Sequence, residues 1–179
     1  FPVLKLVNNG KSVPPPANGI LNGVFVKIIF NIYNKIMKKT IYDIFMPAGG
    51  RGKRLGAISD KTPKPLIKIN KQEFIIKVIK SLLKIKVSNI YVLTSYKDTK
   101  FFFIKNFFSK YFFKLSLIKD IKRIGTYNAL YNVRKLMKNN FIYTNSDEIL
   151  DINIVKVIKI FEKYKLDILQ LYFSDSKGV

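Results

Sequence analysis

The chain contains no cysteine and no histidine. Without cysteine there is no disulfide framework, no thiolate metal site and no thiol nucleophile. Without histidine the commonest general base, the Ser-His triads and imidazole metal ligands are all excluded. Acidic residues are scarce, 11 against 33 Lys and Arg, so the 179 residues carry a formal charge of +22. Arginine is scarce too, with Arg51, Arg54, Arg123 and Arg134 the full set. No apolar run reaches the roughly 20 residues of a membrane span. The most apolar early stretch, Ile20 to Met37, is broken by Asn22, Lys27, Asn31, Asn34 and Lys35, and it lacks a signal-peptide layout. A cytoplasmic location with no membrane partner is the expectation. Catalysis by such a chain must rest on carboxylates, Lys, Arg, Tyr, backbone amides or a metal held by oxygen. Those are the tools of phosphate chemistry, where positioning and charge neutralisation carry the rate.

The sequence is rich in apolar residues, 48% with 14% aromatic, and is long enough to bury the core of one globular domain. Its lysines are spread through the chain and alternate with apolar residues, as on solvated faces. A nucleic-acid groove requires clustered charge, so no nucleic-acid partner is expected. The excess of lysine would still draw in an anionic nucleotide.

Residues 1–36 differ from the rest. Asn8-Asn9-Gly10 to Pro14-Pro15-Pro16-Ala17-Asn18-Gly19 is rich in turn residues and is expected to hold no regular structure. Met37 precedes the first clear strand, so the expectation is that residues 1–36 are an upstream translated segment, or a remnant of a preceding domain, outside the fold. A genuine N-terminal extension is the alternative. From there the pattern alternates. Strands are expected at Tyr42–Met46, Asn89–Thr94, Lys114–Lys119, Phe141–Thr144 and Asp167–Phe173. Helices are expected at Gln72–Lys86, at Asp98–Tyr111 with Asp98 as cap, and at Thr126–Lys138 capped by Thr126. The third of these should turn Leu130, Val133, Leu136 and Met137 inward. A last helix is expected at Asn153–Tyr164 after an Asp151 cap. Alternating strand and helix with short connections predicts an α/β, Rossmann-like, mostly parallel sheet with helices on both faces. In such sheets ligands bind beyond the carboxyl ends of the strands.

The loop after the first of these strands is Met46-Pro47-Ala48-Gly49-Gly50-Arg51-Gly52-Lys53-Arg54-Leu55. Its glycines let the backbone approach a ligand and aim amides at an anion. Arg51, Lys53 and Arg54 add charge, and an arginine can grip phosphate bidentately. The spacing fits neither the dinucleotide fingerprint nor the P-loop. Further on, Thr62-Pro63-Lys64-Pro65-Leu66 holds Lys64 between two prolines, a pre-placed point charge.

Together these segments resemble the signature of the sugar-1-phosphate nucleotidyltransferases. Two later segments extend the likeness. Asp120 precedes Gly125-Thr126-Tyr127-Asn128-Ala129-Leu130, similar to the family's acidic residue and Leu-Gly-Thr-Ala-Gly-Ala-Leu run, with Tyr127 and Asn128 departing from small residues. Asn145-Ser146-Asp147 resembles a strand-ending Asn-Gly-Asp, with serine for glycine. The resemblance implies transfer of a nucleotidyl group from a nucleoside triphosphate to a sugar 1-phosphate, releasing pyrophosphate, to make precursors of cell-surface polysaccharide. It implies Arg54 and Lys64 as catalytic contacts to phosphate. It implies Ala48, Gly49, Gly50, Arg51, Gly52, Lys53, Asp120, Gly125 and Thr126 as nucleotide-binding, and Asp147 as ligand to Mg2+. A homo-oligomer is an open expectation for the assembly. The base and the sugar are left open, with a lean toward guanylyltransferases of mannose or heptose 1-phosphate. The resemblance also implies that the fold is C-terminally truncated, since family members continue to a Glu-Lys-Pro-type motif and a second metal-binding Asp. The expectation is then weak nucleotide binding and poor catalysis. The rival readings are a cytidylyltransferase for phosphocholine, an inactive nucleotide-binding regulatory domain and, on charge alone, a nucleic-acid-binding module.

Overall fold

The computed structural model describes residues 2–8, 11–13, 41–50, 52–120, 125–138, 140–149 and 151–173. Its strands and helices, in chain order, begin with β1 (Pro2–Asn8), β2 (Lys11–Val13) and β3 (Tyr42–Pro47). Then come α1 (Ala57–Lys61), β4 (Lys68–Ile69), β5 (Gln72–Glu73), α2 (Phe74–Leu82), β6 (Val87–Thr94) and α3 (Phe102–Phe107). The last are β7 (Lys114–Lys119), α4 (Thr126–Val133), β8 (Phe141–Tyr143), α5 (Ile154–Lys163) and β9 (Ile168–Phe173). The chain divides into two compact units, Thr40–Leu150 and a second made of residues 1–39 with 151–179.

In the first unit β7, β6, β3 and β8 form a sheet in that order, and every neighbouring pair is parallel. The path runs from β3 outward through β6 to β7, then returns to the other side of β3 as β8. That reversal opens a crevice between β3 and β8, the place where open α/β sheets bind ligands. The α/β, mostly parallel expectation holds.

The reversal puts helices on both faces, and side-chain alternation along a strand shows it. Ile44 and Met46 of β3 share a core layer with Ile90 and Val92 of β6, with Ile75, Ile76, Val78 and Ile79 of α2, and with Ile104 of α3. Phe45, between Ile44 and Met46 in β3, faces the other way, into a layer with Leu93 and with Ala129 and Val133 of α4. Phe45 is fully buried; it stacks on Tyr91 at 4.8 Å between ring centroids and meets Phe141 edge-on at 5.4 Å. Burial raises the Tyr91 hydroxyl above its ordinary range, and the charge of Asp43 raises it further. Asp43 is itself buried and accepts a 2.7 Å hydrogen bond from Asn89 Nδ2.

In the second unit β1 pairs antiparallel with both β2 and β9. Two expectations change here. Pro2–Asn8 and Lys11–Val13 are strands, whereas the turn-rich stretch from Asn8 to Gly19 is expected to hold no regular structure. Pro2-Val3-Leu4-Lys5-Leu6-Val7 is a strand-forming run, and its ladder meets the needs of Ile168–Phe173 residue for residue. Correspondingly, the final strand lies in this sheet and not in the four-stranded parallel one.

The helix caps also differ. Lys97, with φ of 49°, precedes a 3-10 turn over Asp98–Phe101, and Asp98 pairs with Lys119 at 3.0 Å. Asp98 therefore stands inside the turn and not at its cap, and hydrogen bonding from Lys119 lowers the Asp98 pKa. Gly125, with φ of 92°, caps α4 in place of Thr126, since glycine adopts that backbone at little cost. Asn153, not Asp151, caps α5, accepting from the Lys156 amide at 3.2 Å. Helix α4 gives way to a 3-10 turn at Arg134–Leu136. The change in period leaves Leu136 exposed, where it is expected inward.

Candidate active site

Beyond the carboxyl ends of the parallel strands lies a cavity of about 520 Å³. Its wall includes Pro47 to Gly50 and Gly52 after β3, Lys64 and Pro65, Leu93, Ser95 and Tyr96 at β6, Asp120 after β7, Gly125 and Ala129 at α4, and Asn145 to Asp147 after β8. Each of the four strands therefore delivers residues to one site.

The glycine loop is close-packed at one point. A Cβ on Gly49 would sit 2.8 Å from Ser95 Cβ, too near for any real side chain. Gly52, with φ of 66°, is in the left-handed region, and its Cβ would stand 3.1 Å from Lys64 Cβ. Gly52 therefore sets the loop directly against the proline-bracketed lysine. Gly50 meets nothing within 4 Å and is exposed. Pro65 and Leu66 are buried while Lys64 is exposed, so the prolines anchor a segment whose lysine head reaches into the cavity wall.

Lys64 Nζ lies 2.6 Å from Asp147 Oδ2, the two side chains 45% and 31% exposed. Two sequence-predicted residues from segments 83 positions apart are thus in direct contact. Beside them Ser146, 2% exposed, donates from Oγ to the Pro47 carbonyl at 2.6 Å. Asn145 Nδ2 donates to Glu148 Oε2 at 3.1 Å.

The lysine loop is also held from β6. Tyr96 donates through its hydroxyl to the Asp60 carbonyl at 2.9 Å. Lys97 Nζ donates to the same carbonyl and Lys100 Nζ to that of Lys61. These contacts tie down the carboxyl end of α1 just before Pro63. At the far edge of the sheet the Asp120 amide donates to Thr94 O at 2.6 Å, and Asn132 Nδ2 donates to Asp120 Oδ1 at 3.3 Å.

Of the sequence-predicted residues, Ala48, Gly49, Gly50, Gly52, Lys64, Asp120, Gly125 and Asp147 line the cavity. Arg54 does not; it sits exposed on a 3-10 turn, because the left-handed Gly52 turns the chain and accepts the Leu55 amide at 2.8 Å. Thr126 opens α4. Arg51 lies outside the described residues, as do the side chains of Lys53 and Thr126. Sequence reasoning missed Ser95 and Tyr96. The signal that could have found them is their place immediately after β6, by the same strand-end rule that found Asp120 and Asp147.

The donors on the wall are oxygens, with Asp120 and Asp147 the carboxylates. No group of three or more acidic side chains stands together among the described residues. Of the wall carboxylates, Asp147 alone stands at the β3–β8 crevice, which suits a hard cation held by one carboxylate and completed by substrate phosphates, as Mg2+ commonly is.

No helix among the described residues is long and apolar enough to cross a membrane. Residues 44–177 match the family model described as nucleotidyl transferase. The chain is 30% identical over 111 residues to D-glycero-alpha-D-manno-heptose 1-phosphate guanylyltransferase of Campylobacter jejuni, covering 61% of this chain and 49% of that protein. It is 28% identical over 116 residues to the bifunctional protein GlmU of Methanococcus maripaludis, covering 65% of this chain and 27% of that one. Among solved structures, HddC from Yersinia pseudotuberculosis superposes with a TM-score of 0.56 at 28% identity, over 67% of this chain and 54% of HddC. The chain thus spans about half the length, or less, of these relatives. With the glycine loop, the bracketed lysine and the strand-end aspartate gathered in one cavity, and with most of its length matched, the chain belongs to the nucleotidyl transferase family.

Proposed function

We propose that this protein transfers a nucleotidyl group from a nucleoside triphosphate to a sugar 1-phosphate, forming a nucleotide sugar and pyrophosphate, and that the donor is GTP. The observation that carries this reading is the single cavity joining the glycine loop, Lys64 and Asp147 at the point where the strand order reverses. The sugar-phosphate oxygen attacks the α-phosphorus, a new P–O bond forms, and the bond to the bridging oxygen of the β-phosphate breaks. Because the attacking phosphate is already ionised, no protein base is needed. Amides of the glycine loop and Lys64 orient the phosphates and offset the charge that shifts onto the leaving pyrophosphate. Asp147, with the phosphates, would hold Mg2+, which supplies Lewis-acid polarisation of the phosphoryl oxygens. Until ligands compete, Lys64 and Asp147 neutralise one another.

The base assignment rests on Asp120. It ends the edge strand β7, and the ends of β7 and β8 are separated by about 14 Å across four strands. That span lets phosphates lie at the β3–β8 crevice while the base reaches β7. A carboxylate only accepts hydrogen bonds. Guanine offers it two adjacent donors, N1–H and N2–H2, whereas uracil and thymine present one N–H flanked by carbonyl oxygens that would repel it. The names of two relatives agree in direction, since one is a guanylyltransferase and HddC was also solved in complex with GMP-PN. Use of a nucleoside triphosphate fits the expected cytoplasmic location.

Pyrophosphate release by the full chain with Mg2+ tests the reading. Each nucleoside triphosphate is paired with mannose, glucose or heptose 1-phosphate, or with phosphocholine. Release with GTP and a sugar phosphate is expected. Release with CTP and phosphocholine alone would replace the proposal with the cytidylyltransferase reading, and triphosphate binding without release from any pair would favour a regulatory domain.

A further inference from the structure

The ladder between β3 and β8 is short. It pairs Asp43 with Phe141, Ile44 with Ile142 and Phe45 with Tyr143, and the Thr144 amide then donates to Phe45 O at 3.1 Å. In a parallel ladder the hydrogen bonds are evenly spaced, so the next acceptor along β3, two residues on, is Pro47 O. By then the segment after β8 has left the strand and turned at Ser146 and Asp147. No strand pairing reaches Pro47 from β8. Instead the Ser146 hydroxyl, almost fully buried, donates to Pro47 O at 2.6 Å.

We propose that Ser146 is a positioning residue for Asp147, its hydroxyl replacing the missing backbone link and tying the carboxylate-bearing turn to the strand that feeds the glycine loop. The proposal rests on the nucleotidyltransferase reading for its functional meaning. Ser146 is next to Asp147, and Pro47 is next to Ala48, where the glycine loop begins. One short hydrogen bond therefore fixes the metal-binding carboxylate against the phosphate-binding amides. Lys64 meets the same carboxylate from a third segment. Without the hydroxyl, the attachment of this turn to β3 falls back to the Thr144 amide, three residues before Asp147. Family resemblance puts glycine at this position, and glycine offers no such donor.

The test uses the full chain, with Mn2+ and GTP as probes. Protein-bound Mn2+ is followed by water-proton relaxation, and Mn2+ with inorganic tripolyphosphate serves as an arm independent of base. Ser146→Ala is expected to raise the Mn2+ concentration for half-saturation about 3- to 10-fold, the scale of one lost hydrogen bond. It should lower kcat for pyrophosphate release and leave the KM for triphosphate nearly unchanged. Ser146→Thr, which keeps the hydroxyl, should recover most of the Mn2+ affinity. A lowered Tm with Mn2+ affinity and kcat unaltered in Ser146→Ala would overturn the proposal, because a purely structural serine predicts that pattern. Wild-type protein that binds Mn2+ and GTP yet releases no pyrophosphate from any acceptor would defeat the proposed function instead, and the Mn2+ shift would still decide the role of Ser146.

Discussion

The two ends of the cavity are built differently. At the β3–β8 end the wall is charged and tightly interlocked, with Lys64 against Asp147 at 2.6 Å, Ser146 on Pro47 O at 2.6 Å, and a glycine at position 49 that admits no side chain. At the β7 end the wall is more open in chemistry. Leu93 and Ala129 are apolar, Asp120 is a single acceptor, and its Asn132 contact is long at 3.3 Å. The first end suits the part of a ligand that every nucleotide shares, and the second suits the part that differs. Chemistry demands fixed charges within contact of the reacting phosphorus, whereas base choice needs only one or two well-aimed polar groups on an apolar platform.

The strongest break in that comparison comes from the phosphate end. Lys64→Ala and Asp147→Ala should each lower kcat for pyrophosphate release by about 100-fold or more, the scale of losing one preorganised charge, as measured by coupled release assays. Because each removal leaves the other charge unpaired, the double variant should lose less than the product of the two single losses. Next in size is Gly49→Ala. Its new Cβ must displace the β6–α3 segment at Ser95, so urea unfolding should show a loss of about 1–3 kcal/mol, together with weaker triphosphate binding.

At the base end, Asp120→Asn exchanges an acceptor for a group that also donates. It should cut discrimination for GTP by about 1–3 kcal/mol and improve use of xanthosine triphosphate, whose C2 carbonyl wants a donor. Equal losses with every triphosphate would place Asp120 outside base recognition. The smallest effect is expected at the Asp98–Lys119 pair, behind the cavity wall. Hydrogen bonding from Lys119 lowers the Asp98 pKa. A lowered folded-state pKa contributes stability above the ordinary aspartate range and loses it as pH falls through the lowered value. Asp98→Asn should therefore flatten the acid limb of a Tm-versus-pH curve slightly and leave the neutral limb nearly unmoved.

The parts of the site legible in the sequence were those in which backbone chemistry and residue type agree. Gly49 and Gly52 stood after an apolar strand, Lys64 stood between prolines, and Asp147 followed another strand; each lies on the cavity wall. Arg54 was harder. Its position depends on the turn that Gly52 makes, and spacing along the chain does not reveal which way the following residues face. Ser95 and Tyr96 carry no motif, and their place emerges only when β6 is set beside β3. Ser146 reads in sequence as a departure from Asn-Gly-Asp; only the pairing of β8 with β3 shows its hydroxyl on Pro47 O. The parallel sheet was legible from alternating apolar runs, while caps were not. Asp98 looks like a cap, yet the turn begins at Lys97 and the carboxylate pairs with Lys119, and the pairing of Pro2–Asn8 with Ile168–Phe173 shows only in the antiparallel ladder.

The central claim is that the phosphate end of the cavity performs attack at the α-phosphorus. Incubating the full chain with Mg2+, a heptose or mannose 1-phosphate, and GTP labelled at either the α- or the γ-phosphorus tests it most directly. The account predicts α-label in a nucleotide sugar and γ-label in pyrophosphate, both lost in Asp147→Ala. Label passing from the γ-position to the sugar phosphate, or α-label transfer that survives Asp147→Ala undiminished, would contradict it.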